Sequence, residues 1–563
     1  MASARHLPIL SVLLSMFALL FNVFLWGAAL ERAFIHRFTI SGGGVDGGGV
    51  YQDGPKSHGH EYKGSSPFTD DFNSFVADVM GEWKLPGMAI AVVDGEDVFT
   101  QAYGYAKLPD TRATPETLWF AGSTTKAQLG ASLAHLIDTT DLLRPGGGWQ
   151  TAISSILRDD FVVADDWATE HLTLDDAVSH RTGMPGHYLS WDRSASLRDT
   201  VRNLRNLGMR REPRVQFEYN NLMFTVLSHV VETLTNKSVR DVLRSTIWDP
   251  LNMTSTFLDL DEAQASGLVL SRGYWYDGTA GSFRAMPVMP TTAVSGAGAV
   301  ISTVVDYAKW VKALLDRHEF LSHAVHADLT RPRFLTGDRR TPVREDKLAS
   351  YAVGWMRTVL HGETSIWHTG GTGTHGTMVQ WLPDKKFGLV IMENYMNEAV
   401  HTIVMHRLIE DRLGIPPEKR ADVAAEYLQE SPARPQRVAR QRRRLAVPGP
   451  SVSPAAADAA TLPLAEFAGS YRSAGYGTIT LSLGTDAGTL VAARPEPIWA
   501  QDWRLDWRLE HVSGDYFVAY VTSSGDDPAR AEFFRASFDV GVDGTVRALE
   551  VAFGDGRVVY TRR

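Results

Sequence analysis

The sequence predicts an α+β domain over residues 67–415, followed by a small all-β, barrel-like domain over residues 464–563. Three observations carry this. Hairpin patterns of short apolar runs stand at both ends of the first stretch, with helical periodicity between them, which is the order of an α+β unit. Residues 416–463 are rich in Pro, Ala and Arg, with Pro432, Pro435, Pro448, Pro450 and Pro454, and read as a linker with a short helix at its start. Beyond it the runs shorten and alternate at 476–483, 516–521, 532–538 and 546–553, separated by turns such as Asp543-Gly544.

Within the first domain, 72–83 carries apolar residues at helical spacing. The run 88–93, the turn Asp94-Gly95 and the run 98–103 make a hairpin. The stretch 118–137 reads as one long, mostly buried helix, and 174–179, 221–234 and 304–315 as further helices. Strands are expected at 364–368, 377–382 and 387–393, the last two joined by Pro383-Asp384-Lys385-Lys386, and a helix at 399–413.

The chain has 563 residues and a formal net charge of -9, which argues against a global preference for nucleic acid. The basic run 434–444 reads as solvated linker. There is no cysteine, so disulfides, cysteine nucleophiles and thiolate metal sites are excluded. Residues 7–30 are nearly all apolar and long enough to span a bilayer, and Gly27-Ala28-Ala29 offers a small-residue cleavage site. Residues 1–30 are therefore expected to be a signal peptide or a signal anchor, leading into the secretory pathway as a secreted or membrane-anchored protein. Residues 31–66 hold the run Ser41 to Gly49, six of whose nine residues are glycine, and read as a Gly-rich flexible spacer. The run lacks the Lys-Ser/Thr ending of a phosphate loop. Asn236-Lys237-Ser238 and Asn252-Met253-Thr254 are glycosylation acceptor patterns.

Three polar motifs carry chemistry. Gly122-Ser123-Thr124-Thr125-Lys126 holds the one Ser-x-x-Lys of the chain. Positions i and i+3 share a helix face, so Lys126 reaches the Ser123 hydroxyl. A serine becomes a nucleophile when a neighbouring base takes its proton, and a desolvated lysine can serve. A serine at a helix start is equally the ordinary N-cap. Tyr219-Asn220-Asn221 offers a phenol whose pKa a cationic lysine would lower, and an Asn221 amide that donates and accepts. Tyr395-Met396-Asn397 matches the same pattern. His368-Thr369-Gly370-Gly371 ends an apolar strand, where glycine lets a substrate backbone approach closely. There the Gly371 and Ser123 N–H groups would form an oxyanion hole, and His368 would bond a substrate carboxylate or the tyrosine.

In this order the motifs resemble the serine β-lactamase, penicillin-binding-protein and D-aminopeptidase superfamily, of the class C β-lactamase-related, peptidase family S12 type. Further segments fit the same resemblance: 85–93, Phe120-Ala121-Gly122-Ser123, 174–185 with His180-Arg181-Thr182-Gly183-Met184-Pro185, Phe217-Glu218-Tyr219 with Asp249-Pro250-Leu251-Asn252-Met253, 298–303, and Trp367-His368-Thr369-Gly370-Gly371. The motif order selects Tyr219 over Tyr395, which follows the His-Thr-Gly strand. The resemblance implies an antiparallel sheet flanked by helices with a helical subdomain, and a lipocalin-like C-terminal domain. It implies catalysis by Ser123, Lys126 and Tyr219, with Asn221, His368, Thr369, Gly370 and Gly371 binding substrate or oxyanion, and no metal or cofactor. The expected partner is a small-molecule or peptide substrate whose amide or ester bond is cleaved, and similar fungal proteins point to secondary-metabolite tailoring. A transacylase, or a silent penicillin-binding or sensor protein, would use the same site. Lysine commonly stands where His368 does, and a histidine, mostly neutral at pH 7, points away from β-lactams.

Overall fold

The computed structural model describes residues 66–563, except 193–194, 279, 288–291, 338–348, 429–458, 487, 494–504, 524–531 and 555. The expected signal segment, the Gly-rich spacer and the basic run lie outside the described residues. No helix among the described residues is long and apolar enough to cross a membrane.

The first domain is built on helix α1 (Asp70–Trp83) and the strands β1 (Gly87–Asp94), β2 (Asp97–Lys107), β3 (Thr111–Arg112), β4 (Trp119–Phe120), β5 (Tyr274–Asp277), β6 (Ser282–Ala285), β7 (Ile301–Ser302), β8 (Phe334–Leu335), β9 (Ser350–Tyr351), β10 (Met356–Leu360), β11 (Glu363–Gly371), β12 (Gly376–Leu382) and β13 (Phe387–Glu393). The main sheet runs β3-β2-β1-β13-β12-β11-β10-β9-β8, with antiparallel neighbours throughout. Strands β1 and β13 are apolar at nearly every position because both of their faces are covered. Met88, Ile90 and Val92 pack with α1 and with helix α5 (Glu398–Arg412), on Val76, Val400 and Val404. Ala89, Ala91 and Val93 point the other way, into the core shared with α2 (Thr125–Thr139), α3 (Asn221–Thr235) and α4 (Val304–Asp316).

One expectation needs correction. The stretch 118–137 is not one helix. Trp119 and Phe120 form β4, which pairs with β7. Gly122 then takes a left-handed φ of 54° and a 3-10 turn, Gly122–Thr124, precedes α2. An apolar run cannot be told from a helix by periodicity when a partner strand so distant in sequence captures its start. The other expected elements form, with ends displaced by a few residues.

The second domain is a closed barrel of eight antiparallel strands in sequence order: β14 (Gly469–Ser473), β15 (Gly477–Leu483), β16 (Thr489–Ala493), β17 (Leu505–Ser513), β18 (Tyr516–Ser523), β19 (Glu532–Val540), β20 (Val546–Phe553) and β21 (Gly556–Arg562), which pairs back with β14. Its interior holds aromatic rings. Phe467 lies 4.8 Å from Phe538 and 5.7 Å from Phe517, centroid to centroid, and Trp507 meets Phe553 and Tyr560 edge-on. The hairpin turn between β14 and β15 docks on the first domain. Asn203 Nδ2 donates to Gly475 O at 3.0 Å, and Arg210 donates to Gly554 O at 2.6 Å. His187 Nε2 donates to Gly208 O at 2.8 Å, which leaves Nδ1 to accept from the Tyr476 hydroxyl at 2.6 Å.

Tyr476→Phe removes the donor that the buried His187 imidazole accepts from. It is expected to cost about 1–3 kcal/mol. Chemical denaturation followed by fluorescence measures this, and an unchanged midpoint would show that the contact contributes nothing to the docking.

Candidate active site

Three segments far apart in sequence converge on Ser123. The serine sits in the 3-10 turn, and Lys126 follows in the first turn of α2. The i to i+3 spacing brings Lys126 Nζ to 2.9 Å from Ser123 Oγ. Lys126 is fully buried. Its other hydrogen bond is to Ala297 O at 2.6 Å, and the rings of Tyr219 and Phe224 lie 5.1 and 5.3 Å from Nζ. No carboxylate pairs with it among the described residues. Burial without a counter-ion pushes the Lys126 pKa well below that of a free lysine. This shift favours the neutral amine, which beside a serine hydroxyl has the chemistry of a base.

Tyr219 comes from the turn before α3. Asn220 caps that helix, its Oδ1 accepting from Met223 N at 3.2 Å while its Nδ2 donates to Met184 O and Pro185 O. This anchorage fixes where Tyr219 points. The phenol interacts with Ser123, but burial dominates and raises its pKa far above the ordinary value. The expected lowering by a cationic lysine is corrected here: both groups are desolvated, so the phenol keeps its proton and the lysine tends to lose its own. Asn221 opens α3 and is buried, and its Oδ1 has no hydrogen-bond partner. The structure does not bond it to Lys126.

The third segment is the end of β11. An added Cβ on Gly370 would stand 2.0 Å from Ala121 O and 3.2 Å from Ser123 N. One on Gly122 would stand 2.6 Å from Gly371 N. Both positions need glycine because backbone meets backbone there. The close approach puts the Gly371 and Ser123 amides on either side of the nucleophile turn. Thr369 and Gly371 are half-buried, while His368 and Gly370 are buried, as strand alternation requires.

His368 differs from its expected role. Its Nδ1 donates to Thr369 O at 2.5 Å, so Nε2 is the acceptor, and the Tyr351 hydroxyl donates to it at 2.9 Å. Both ring nitrogens are occupied within the protein, and the partner phenol is Tyr351 and not Tyr219. Burial and the neighbouring Lys126 push its pKa down to about 3. A neutral imidazole whose free lone pair already accepts a bond offers nothing to a substrate carboxylate.

Two further residues belong to this site. Tyr351, on β9, orients His368. His180 is buried in the left-handed conformation, φ 57°, and packs its ring 4.4 Å from that of Tyr219 and 4.7 Å from that of Tyr351. Its Nδ1 accepts from Asn220 N at 3.0 Å, and its Nε2 has no hydrogen-bond partner. His180 lies in the 174–185 segment quoted above, which was a signal for it; Tyr351 had none. The glycosylation acceptors stand apart, both exposed: Asn236 caps α3 and Asn252 lies in a turn, each left-handed.

The sequence matches a family model described as Beta-lactamase over residues 72–414. The chain belongs to the β-lactamase family. Residues 453–559 match a second model, a domain of unknown function designated DUF3471. An unguisins hydrolase of Aspergillus campestris is 36% identical over 87% of this chain and 91% of its own length. Another, of Aspergillus violaceofuscus, is 35% identical over 82% and 84%. Among solved structures, a penicillin-binding protein homologue from Pyrococcus abyssi aligns with TM-score 0.55 at 18% identity, covering 87% of this chain and 99% of that one. A class C β-lactamase from Rhodobacter sphaeroides aligns with TM-score 0.50 at 19% identity, covering 61% and 100%. The structural likenesses establish the β-lactamase fold, and family and relatives together make the chain a serine hydrolase of that family.

With Lys126 as the base, the acid limb of activity is expected to report one ionisation. Protonated Lys126 cannot accept the serine proton, so kcat/KM on a neutral ester should rise with pH through the lowered lysine pKa and then level. His368, at about 3, contributes no limb across the working range. A pH–rate profile checks this, and an acid limb that vanishes in His368→Gln would contradict it.

Proposed function

We propose that this enzyme cleaves amide or ester bonds of small molecules or peptides through an acyl-enzyme on Ser123. The observation that supports this most is the fully buried Lys126, uncompensated by any carboxylate among the described residues and 2.9 Å from Ser123 Oγ. In this reading neutral Lys126 takes the Ser123 proton as Oγ bonds to the carbonyl carbon. Negative charge collects on the carbonyl oxygen, which the Ser123 and Gly371 N–H groups receive. Tyr219, kept protonated by burial, hands a proton to the leaving nitrogen or oxygen and is reprotonated from Lys126. The bond to the leaving group breaks. Water then attacks the ester, Lys126 accepting its proton; the bond between the acyl carbon and Ser123 Oγ breaks as Lys126 returns that proton to Oγ, and the acid departs.

Two relatives are named unguisins hydrolases, and a small molecule or peptide of secondary metabolism is the substrate class we propose for this chain. His368 supports the same direction, since no cationic group stands at that position to hold a β-lactam carboxylate.

Ser123→Ala should lose turnover by on the order of 10³-fold or more while staying folded. A fluorophosphonate probe should label the wild type and not the variant, and labelling at another serine would overturn the assignment. Tyr219→Phe separates the proton roles. It should slow amide cleavage far more than cleavage of p-nitrophenyl esters, whose leaving group needs no proton. Equal loss on both substrates would remove Tyr219 from the leaving-group step. Wild-type nitrocefin turnover should be poor beside the best ester or peptide, and His368→Lys should improve binding of carboxylate-bearing substrates. Nitrocefin hydrolysis as fast as ester hydrolysis would refute the substrate class.

A further inference from the structure

A second cluster of chemical groups lies at the opposite end of β11 from the nucleophile. His361 occupies the two-residue turn joining β10 to β11, and α5 passes beneath it with His406 and Glu410 one turn apart on one face. His361 Nε2 is 3.1 Å from Glu410 Oε1, and His406 Nδ1 is 3.7 Å from the same oxygen. One ligand atom from each of the three residues falls within 4.8 Å of the others.

Two features of this cluster have no explanation in packing. His406 is 3% exposed, yet its Nε2 has no hydrogen-bond partner and its Nδ1 reaches Glu410 only at 3.7 Å, beyond hydrogen-bond length. A buried imidazole so poorly satisfied is costly and rare. The turn itself is the second feature. His361 and Gly362 both have positive φ, 49° and 81°, the pattern of a hairpin turn that favours Asn-Gly. Histidine there gives up backbone comfort for a side chain that reaches Glu410.

We propose that His361, His406 and Glu410 form a zinc site that clips the β10–β11 hairpin to α5. Two imidazoles and a carboxylate are the protein ligands of open zinc sites that keep a water in the fourth position. Tetrahedral ligands at ordinary zinc bond lengths stand roughly 3.4 Å apart, and the 3.1 and 3.7 Å separations bracket that value. Each histidine ligates as its neutral tautomer, with its remaining proton on the nitrogen that faces away. Water completes the fourth position on the half-buried His361 side. The site is distant from Ser123, since His361 and Gly370 are separated by most of β11, about 3.3 Å per residue. It therefore acts on stability and not on chemistry. In a chain without cysteine, a metal clip does what a disulfide would do elsewhere.

The test uses the full chain, stripped with EDTA and dialysed, then titrated with zinc chloride by calorimetry and by thermal unfolding. One zinc per chain should bind, with a raised unfolding midpoint and unchanged esterase rate at room temperature. His361→Asn is the decisive variant, because asparagine suits the turn. It should fold as well as the metal-free wild type, bind zinc at least about 10-fold more weakly, and lose the midpoint rise. His406→Gln should lose zinc binding likewise. Absence of zinc binding in the wild type, or undiminished binding in His361→Asn, would overturn the proposal.

Discussion

A lysine buried without a counter-ion is the constraint on which the rest of this structure depends. An ammonium in that position is penalised, and burial lowers the lysine pKa well below that of a free lysine. In the reading proposed above, the same desolvation that costs folding energy makes Lys126 a base beside Ser123. The Tyr219 and Phe224 rings cover Lys126, and Ala297 O fixes the direction of Nζ.

The backbone makes an equally strict demand. The nucleophile turn and the end of β11 touch main chain to main chain, and Gly122 and Gly370 allow it. The nine-stranded sheet matters here because it fixes β11, and hence the Gly371 amide, relative to a turn held by the distant β4–β7 pair. His368 serves this geometry by tying Tyr351 of β9 to Thr369 O, which joins neighbouring parts of the sheet by side-chain bonds. It is a residue that stiffens the strand, placed where a lysine would have gripped a carboxylate.

Much of this was legible in the sequence, for definite reasons. Ser123 and Lys126 could be paired because i to i+3 spacing survives whether the turn is α or 3-10. Strand β13 and helix α4 were legible because their apolar pattern is long and unbroken. What stayed hidden depended on partners remote in the chain. The start of α2 is hidden in the sequence because β7 captures Trp119 and Phe120. Ala297 contributes a carbonyl, which every residue has, so no side chain marks it. The direction of the Tyr219 shift could not be read from its neighbours in sequence, because burial decides it, with the remote His180 ring packed 4.4 Å from the phenol ring. Tyr351 itself lies in a strand of two residues, too short to carry a pattern.

The central claim is that Lys126 is the neutral base of this site. The most direct measurement is carbon NMR of the enzyme labelled at lysine Cε, with the Lys126 resonance assigned by its loss in Lys126→Arg, followed as a function of pH. The account predicts that this one lysine titrates well below the others and is uncharged where the enzyme is fully active. A Lys126 signal that stays in the ammonium position until about pH 10, through the whole range of activity, would contradict it.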